Sequence, residues 1–259
     1  MLTRIIAALA LVPLLGILIY GGLPLYIIEV VLISMALHEF YKAFTAKNIK
    51  PIYWLGYVFA IYLGVKNYFR LPISYTFIFG FLLFLIGIVY MLTLKHDIID
   101  IAVTTLGIMY VGVFMDFAVL TYDNFSKGHI FVWLILIISF ITDTFAYFSG
   151  YLFGKHKLIP KISPKKTIEG SIGGVIGSIV CCIIFGYIFK LDIIQMIIIG
   201  GLGSVIAQIG DLFASAIKRY VGIKDYGKLI PGHGGILDRF DSVILVAPFV
   251  YNTINLFIK

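Results

Sequence analysis

The chain has 259 residues, of which 61% are hydrophobic and only 13% charged, with a mean hydropathy of +1.06 and a net charge of +7. Because soluble domains are about 45–50% apolar and about 25% charged, this composition excludes a water-soluble globule, a disordered chain and a collagen-like fibre. The positive charge therefore has to be interpreted from the positions of the basic residues, and no nucleic-acid partner is inferred from it. The two cysteines, Cys181 and Cys182, are adjacent in an apolar run, which predicts neither a disulfide scaffold nor a metal site.

Nine apolar runs are candidates for crossing a bilayer, whose hydrocarbon core of about 30 Å needs about 20 helical residues. The first run is interpreted as a retained helix and not as a signal peptide, because it is long and no polar sequence follows it. The third is the weakest, because Lys66 and Arg70 crowd its end. The runs cover residues 4–21, 23–41, 51–69, 72–94, 99–121, 129–153, 170–189, 193–217 and 242–258. The sequence thus predicts an all-α, polytopic integral membrane protein with about nine transmembrane helices.

The basic residues predict the orientation of these helices. With nine spans, the N-terminus and the loops after the even-numbered spans share one side, which carries fifteen Lys and Arg residues against five on the other. Because Lys and Arg accumulate in cytoplasmic loops, we expect a cytoplasmic N-terminus. Ten of the fifteen lie in the loops 154–169 and 218–241. We therefore expect about five mainly structural helices in residues 1–122 and the functional membrane region in residues 123–259.

Four carboxylates of the predicted spans are candidate functional residues, because charges within the hydrocarbon are costly and are often functional. Glu29 and Asp116 are interpreted as structural or interfacial. Asp143 shares a helix face with Tyr147, which fits either a ligand site or a pairing with a neighbouring helix. The fourth, Asp211, has the most informative neighbours.

A polar stripe runs along the eighth predicted helix at spacings of four, three, four and three residues, which places its members on one face. Hydrogen bonding between helices would explain such a stripe. A carboxylate at its centre favours a face turned to a ligand. The stripe consists of Ser204, Gln208, Asp211, Ser215 and Lys218.

The first basic loop ends where a helix is expected to begin, in the segment that carries Ser163, Lys165 and Lys166. Free backbone N–H groups and the helix dipole attract anions at such a point, and two lysines strengthen the attraction. An ordinary positively charged cytoplasmic loop is the alternative interpretation.

The second basic loop contains three glycines around His233, so its backbone can approach a ligand closely. Asp238 and Asp241 follow one helical turn apart, with Arg239 between them. Carboxylates beside a surplus of cations suggest Mg²⁺ with a polyphosphate, although plain ion pairs would also explain them. Neither a P-loop nor a kinase signature set is present.

These residues resemble a known signature. From Ser215 to Asp241 the chain reads S-x2-K-R-x4-K-D-x-G-x3-P-G-H-G-G-x2-D-R-x-D, which closely resembles the motif of phosphatidate cytidylyltransferases. Two further segments are similar to the same family, D-x-F-A-Y-x2-G from Asp143 and S-P-K-K-T-x-E-G from Ser163. No signature position departs from the pattern.

The resemblance implies that CTP and phosphatidic acid are converted to CDP-diacylglycerol and pyrophosphate in phospholipid synthesis. It also implies Mg²⁺, a second cation such as monovalent K⁺, and a homodimer. Because CTP comes from water and the lipid tails need an apolar groove, we expect the active site at the cytoplasmic face of the cell (inner) membrane, where the polar stripe meets the basic loops. The family's metal ligands fall on Asp211, Asp238 and Asp241. Lys218 and Arg239 are expected to join them in catalysis. Substrate binding is expected from Asp143, Ser163, Lys165, Lys166, Ser215, Arg219, Lys224 and His233.

Three other kinds of function would explain parts of this sequence. A transporter would explain intramembrane carboxylates but not polar residues concentrated at one membrane face. A CTP-dependent lipid kinase or a CDP-alcohol phosphotransferase would use related substrates, but the phosphotransferase pattern D-G-x2-A-R-x8-G-x3-D-x3-D is absent. A structural scaffold would leave the glycine-rich loop around His233 unexplained.

Overall fold

The computed structural model describes residues 16–227 and 234–257. Residues 16–20 are helical, and nine further helices follow. They are α1 (Gly22–Thr45), α2 (Tyr53–Tyr68), α3 (Ser74–Leu92), α4 (Ile98–Gly107), α5 (Phe114–Asn124), α6 (Gly128–Phe153), α7 (Ile168–Phe189), α8 (Ile193–Val221) and α9 (Leu237–Phe257). A π-helical segment, Ile108–Val113, joins α4 to α5. Two short strands, β1 (Lys157–Ile159) and β2 (Ser163–Thr167), pair antiparallel.

Within the described residues, seven helical segments are long and apolar enough to cross a membrane, which confirms an all-α, multi-pass membrane protein. One of them is the continuous stretch Ile98–Asn124, formed by α4, the π segment and α5. The third predicted span corresponds to α2, which has only 16 residues. The first predicted span lies mostly outside the described residues. The count of nine and the cytoplasmic N-terminus therefore stay predictions.

The chain divides into two compact units, and the division separates most of the second basic loop from its two ends. Unit 1 comprises residues 1–120 and 220–240, and unit 2 comprises residues 121–219 and 241–259. The boundary near residue 120 lies close to the predicted division at 122/123. The second basic loop, from residue 220, belongs to unit 1.

Unit 1 has polar contacts among its buried helices. The Tyr41 hydroxyl donates to the Thr104 carbonyl oxygen at 2.9 Å. Lys66 and Asp116 form an ion pair with an Nζ–Oδ2 distance of 2.5 Å, and the Asn67 amide donates to Asp116 Oδ1 at 2.8 Å. Asn67 also donates to both oxygens of Glu29. These polar groups are satisfied within the protein, as burial away from water requires.

In unit 2, α6 and α7 approach closely because glycines line the contact. A Cβ at Gly170 would lie 2.7 Å from the Ala146 carbonyl oxygen, and one at Gly174 would lie 2.9 Å from that of Thr142. Small residues at a four-residue spacing are typical of closely packed membrane helices.

A β-hairpin precedes α7 in unit 2, where the sequence suggested only a loop. The hairpin pairs Lys157 with Thr167 and Ile159 with Ser163. The Thr167 side chain then caps α7 by accepting a hydrogen bond from the Gly170 N–H at 3.1 Å. The helix therefore begins at Ile168, and Lys165 and Lys166 lie on the strand before it.

Candidate functional site

Asp211 forms the centre of a polar cluster in unit 2. Its Oδ2 pairs with the Lys166 ammonium of β2, and its Oδ1 accepts a hydrogen bond from the Ser215 hydroxyl at 3.3 Å. Asp211 and Lys166 keep 22% and 26% of their side-chain surface exposed. The stripe on α8 and the hairpin before α7 thus meet at this carboxylate, and an incoming anion can still reach the lysine.

Asp241 adds a more deeply buried carboxylate to the same unit, with only 8% of its surface exposed. It interacts electrostatically with Asp211, Lys218 and Asp143. The Ser242 N–H donates to Asp241 Oδ1 at 2.8 Å, and the Ser242 hydroxyl donates to Asp143 Oδ2 at 3.1 Å. Ser242, which the sequence pattern does not single out, therefore links two of the predicted site residues.

A cavity of about 470 Å³ opens beside this cluster. Lys157 and Lys165 of the hairpin, Lys166 and Asp211 contribute its charged lining, together with Asp143 from α6. Tyr147, Tyr151 and Gln208 are also among its walls. Ser163, predicted to bind substrate, starts β2 opposite Ile159 and is not among the lining residues. The cavity combines cations, carboxylates and aromatic rings, a lining suited to a phosphorylated ligand.

The polar stripe on α8 has two parts. Toward the helix start, Ser204 accepts a hydrogen bond from Thr142 at 2.9 Å and Gln208 donates to the Ser171 carbonyl oxygen at 3.2 Å. These contacts are bonds between helices, the alternative that the sequence left open. From Asp211 onward the stripe belongs to the cluster, with Ser215 and Lys218 following on its face.

Arg219 follows the stripe near the end of α8, in unit 2, where its Nε donates to the Ile162 carbonyl oxygen at 3.2 Å. Ile162 lies in the turn between β1 and β2, so this bond ties the end of α8 to the hairpin. Arg219 is predicted to bind substrate, and this hydrogen bond gives it a structural role as well.

The remaining predicted residues lie in unit 1. The Asp238 Oδ2 accepts hydrogen bonds from the N–H groups of Tyr226 and Gly235, at 2.8 and 2.9 Å. Lys224 lines a second cavity, of about 520 Å³. The Arg239 Nε is buried and has no hydrogen-bond partner among the described residues. His233 falls in residues 228–233, outside the described part of the chain.

Glu39 is a functional candidate that the sequence did not reveal. Its two carboxylate oxygens accept hydrogen bonds from the N–H groups of Ile236 and Leu237, at 3.1 and 2.8 Å. Nearly 200 residues separate the partners along the chain. Glu39 also falls at the end of an apolar run, where a solvated carboxylate would be equally typical, so no local signal distinguishes it.

Two carboxylates of unit 2 have the chemistry of ligands for a hard cation. In the described residues, no group of three or more His, Cys, Asp or Glu side chains is arranged to hold a metal. Mg²⁺ usually takes one or two carboxylates and completes its octahedron with waters and substrate phosphates. Asp211 and Asp241 are two hard oxygen donors that interact electrostatically, and Lys166 pairs with the first while Lys218 interacts with the second.

Comparison with known proteins identifies the family. The model of the cytidylyltransferase family matches residues 2–257. The phosphatidate cytidylyltransferase of Bacillus subtilis (strain 168) is 34% identical over 99% of this chain and 97% of its own length. Enzymes of the same name from Staphylococcus haemolyticus (strain JCSC1435) and Staphylococcus aureus (strain COL) are 36% identical over 60% of each chain. By a match along almost its whole length, this chain belongs to the cytidylyltransferase family.

Proposed function

We propose that the chain is a membrane-embedded phosphatidate cytidylyltransferase, which converts CTP and phosphatidate to CDP-diacylglycerol and pyrophosphate. The observation that carries this proposal is the match to the Bacillus subtilis enzyme, which extends over 99% of this chain and 97% of the relative. The cluster around Asp211 also supports it, since Ser215, Lys218 and Asp241 of the sequence signature occur in unit 2 with the hairpin lysines and the cavity.

In the proposed reaction, a phosphate oxygen of phosphatidate attacks the α-phosphorus of CTP. The bond from that phosphorus to the bridging oxygen breaks, and pyrophosphate leaves with the bonding electrons. The lipid phosphate is already an anion, so the site needs no strong general base. The protein's contribution is then orientation of the two phosphates and neutralisation of their charge.

The basic residues of unit 2 perform the neutralisation in this proposal. Lys165 and Lys166 face the cavity from the hairpin and hold the triphosphate, and Lys218 offsets charge beside Asp241. Ser215 keeps the Asp211 carboxylate in place through its hydrogen bond. Asp143 is held by Ser242 at the cavity wall, where its carboxylate is proposed to contact the nucleoside.

The basic residues of unit 1 have the same role in the proposal. The buried Arg239 Nε has hydrogen-bonding capacity to offer a phosphate, and Lys224 contributes a charge at the second cavity. His233 is proposed to orient a phosphate or to protonate the leaving group, from its place in the sequence motif alone.

We further propose Mg²⁺ as the resident cation, with Asp211 and Asp241 as its ligands. Bound there, the ion would supply charge neutralisation and a template for the reacting phosphates. The family motif adds Asp238, one helical turn before Asp241, as a third ligand. The second, monovalent cation such as K⁺ rests on the resemblance alone, and replacement of K⁺ by Na⁺ in the assay tests it.

The setting is proposed to be the cytoplasmic face of the inner membrane, where CTP arrives from water and phosphatidate from the bilayer. The fifteen-to-five distribution of basic residues supports this side. A homodimer is proposed from the family resemblance. Light scattering of the protein in detergent tests it, with twice the chain mass of 28.9 kDa as the expected result.

The decisive experiment follows the label of α-³²P-CTP into lipid. The detergent-solubilised chain is incubated with phosphatidate and Mg²⁺, and the lipids are extracted. We expect label in the lipid phase that is lost without Mg²⁺ and lost in Asp241→Asn. The matched control is Asp192→Asn, since Asp192 is an exposed carboxylate at the opposite end of α8, where asparagine also caps a helix.

Two results would contradict the proposal. Label that stays wholly in water with a folded wild-type protein would exclude this substrate pair. Full activity and unchanged Mg²⁺ dependence in Asp241→Asn would leave the transfer intact but remove Asp241 from the metal site.

A further inference from the structure

Glu39 is buried near the end of α1, in unit 1, and both of its carboxylate oxygens are bonded to the backbone at the start of α9. The N–H groups of Ile236 and Leu237 are the donors. The first N–H groups of a helix have no partners within the helix, and a carboxylate is the strongest acceptor a protein can offer them. Glu39 therefore fixes where α9 begins, although it lies almost 200 residues away in the sequence.

The same carboxylate also packs against the chain on both sides of residues 228–233. A Cβ at Gly227 or at Gly235 would overlap Glu39 Oε1, so a side chain at either position would displace the carboxylate. A Cβ at Gly227 would also lie 3.0 Å from the Gly235 Cα, which shows how closely the two backbone segments approach each other. The two glycines of the sequence motif thus have a steric explanation in a residue outside the motif.

Asp238, on α9, also forms hydrogen bonds with the backbone near Gly227 and with the backbone at Gly235. Its Oδ2 accepts hydrogen bonds from the Tyr226 N–H of one segment and from the Gly235 N–H of the other. Two buried carboxylates, one from α1 and one from α9, therefore hold together the arms 224–227 and 234–237. The first arm carries Lys224 and, with Lys42 of α1, lines the cavity of about 520 Å³.

We infer that Glu39 is a positioning residue for substrate binding: it anchors both arms of the basic loop, so that Lys224 and Arg239 are held where a phosphate can meet them. The inference rests on the proposed cytidylyl transfer for its kinetic consequences. The anchoring itself is a structural relation that can be measured without turnover.

The test compares Glu39→Gln with wild type in the full chain. Glutamine has nearly the same shape, but it presents an N–H₂ group to one of the backbone donors, so one charge-assisted hydrogen bond is lost and the other weakened. We expect the KM for CTP to rise about fivefold to tenfold, the scale of one such bond, with a much smaller change in kcat. Glu39→Asp, which keeps the charge, should recover part of the loss.

A second readout does not depend on activity. Trypsin can cut after the exposed Lys224 of the first arm, and its rate of cutting there should rise in Glu39→Gln. Gly235→Ala, which forces a methyl group against the same carboxylate, should reproduce both changes. It also keeps the inference testable if Glu39→Gln fails to fold.

Glu29→Gln is the matched control, because it removes a buried carboxylate from the same helix, bonded to Asn67 and not to the loop. It should leave the KM for CTP and the cutting at Lys224 unchanged. Equal effects of the two substitutions, or wild-type KM and proteolysis in Glu39→Gln, would overturn the inference. Absence of transfer in wild type with the expected proteolysis would instead reject the proposed function and keep the anchor.

Discussion

Lys66 and Asp116 are almost completely withdrawn from solvent, with side-chain exposures of 0% and 1%. Two such charges are tolerated only because they pair with each other and because Asn67 donates to Asp116 as well as to Glu29. The sequence placed Lys66 at the end of a weak span, where it counted as a loop charge. In the structure, Lys66 lies inside the protein and neutralises the buried Asp116 carboxylate.

This pair predicts an asymmetric mutational response. Lys66→Met leaves Asp116 without its cation, and breaking a buried pair in this way costs about 3–5 kcal/mol of stability. The double variant Lys66→Met with Asp116→Leu removes both charges and should recover most of the loss. Denaturant titration of the purified protein in detergent measures each step. A double variant no more stable than Lys66→Met would contradict the pairing as the cause.

The hairpin lysine beside Asp211 gives a second prediction. Lys166→Gln should raise the KM for CTP about tenfold, because a charge-assisted contact with phosphate is lost. Lys161→Gln is the matched control, an exposed lysine of the same hairpin that does not line the cavity. Steady-state kinetics with both variants checks this. Indistinguishable KM values would place triphosphate binding away from the hairpin.

Among the elements, the helices with uninterrupted apolar runs were the most predictable. The predicted spans 129–153 and 170–189 agree within two residues with α6 and α7. The start of α9 was placed five residues late, at 242, because Asp238, Arg239 and Asp241 lower the local hydropathy although they are helical. Hydropathy reports which segments enter lipid, and it carries no information on where the hydrogen-bonded helix begins.

The site was predictable to the extent that its chemistry is local. The spacing of Asp211, Ser215 and Lys218 identified a polar face, and the structure places the first two in contact. The ion pair of Lys166 with Asp211 and the role of Glu39 join distant segments. No periodicity within one helix encodes such pairings, because they arise only from tertiary packing.

The glycine contact between α6 and α7 gives a prediction for an element. Gly174→Ala should reduce stability by about 1–3 kcal/mol, because the added methyl group would press on the Thr142 carbonyl oxygen and the Ala146 side chain. Gly80→Ala is the control, a helical glycine of α3 where the nearest atom would be at 3.7 Å. Thermal unfolding in detergent compares the two. A loss as large in Gly80→Ala would mean that close packing is not the cause.

For the whole molecule, the distribution of charge predicts which loops face the cytoplasm. In a background with Cys181 and Cys182 replaced by serine, we expect Lys127→Cys to react with an impermeant maleimide from outside the cell. Lys161→Cys should react only in inverted vesicles. Both positions are exposed loop residues, so a difference in labelling would report the side of the membrane and not the accessibility of the side chain. Labelling of Lys161→Cys from outside would invert the topology and with it the proposed cytoplasmic site.

The π-helical segment Ile108–Val113 has a consequence for the length of the helix that contains it. A π turn accommodates one more residue than an α turn, so everything after it is rotated by about 100° relative to a straight helix. Asp116 lies just beyond the segment and meets Lys66 in that rotated position. Deleting one residue between 108 and 113 would restore a regular helix and turn the carboxylate away from its cation. Gains and losses of single residues should therefore be tolerated in the connecting loops that carry no site residue and rejected in this helix, which has a fixed residue count although no site residue lies on it.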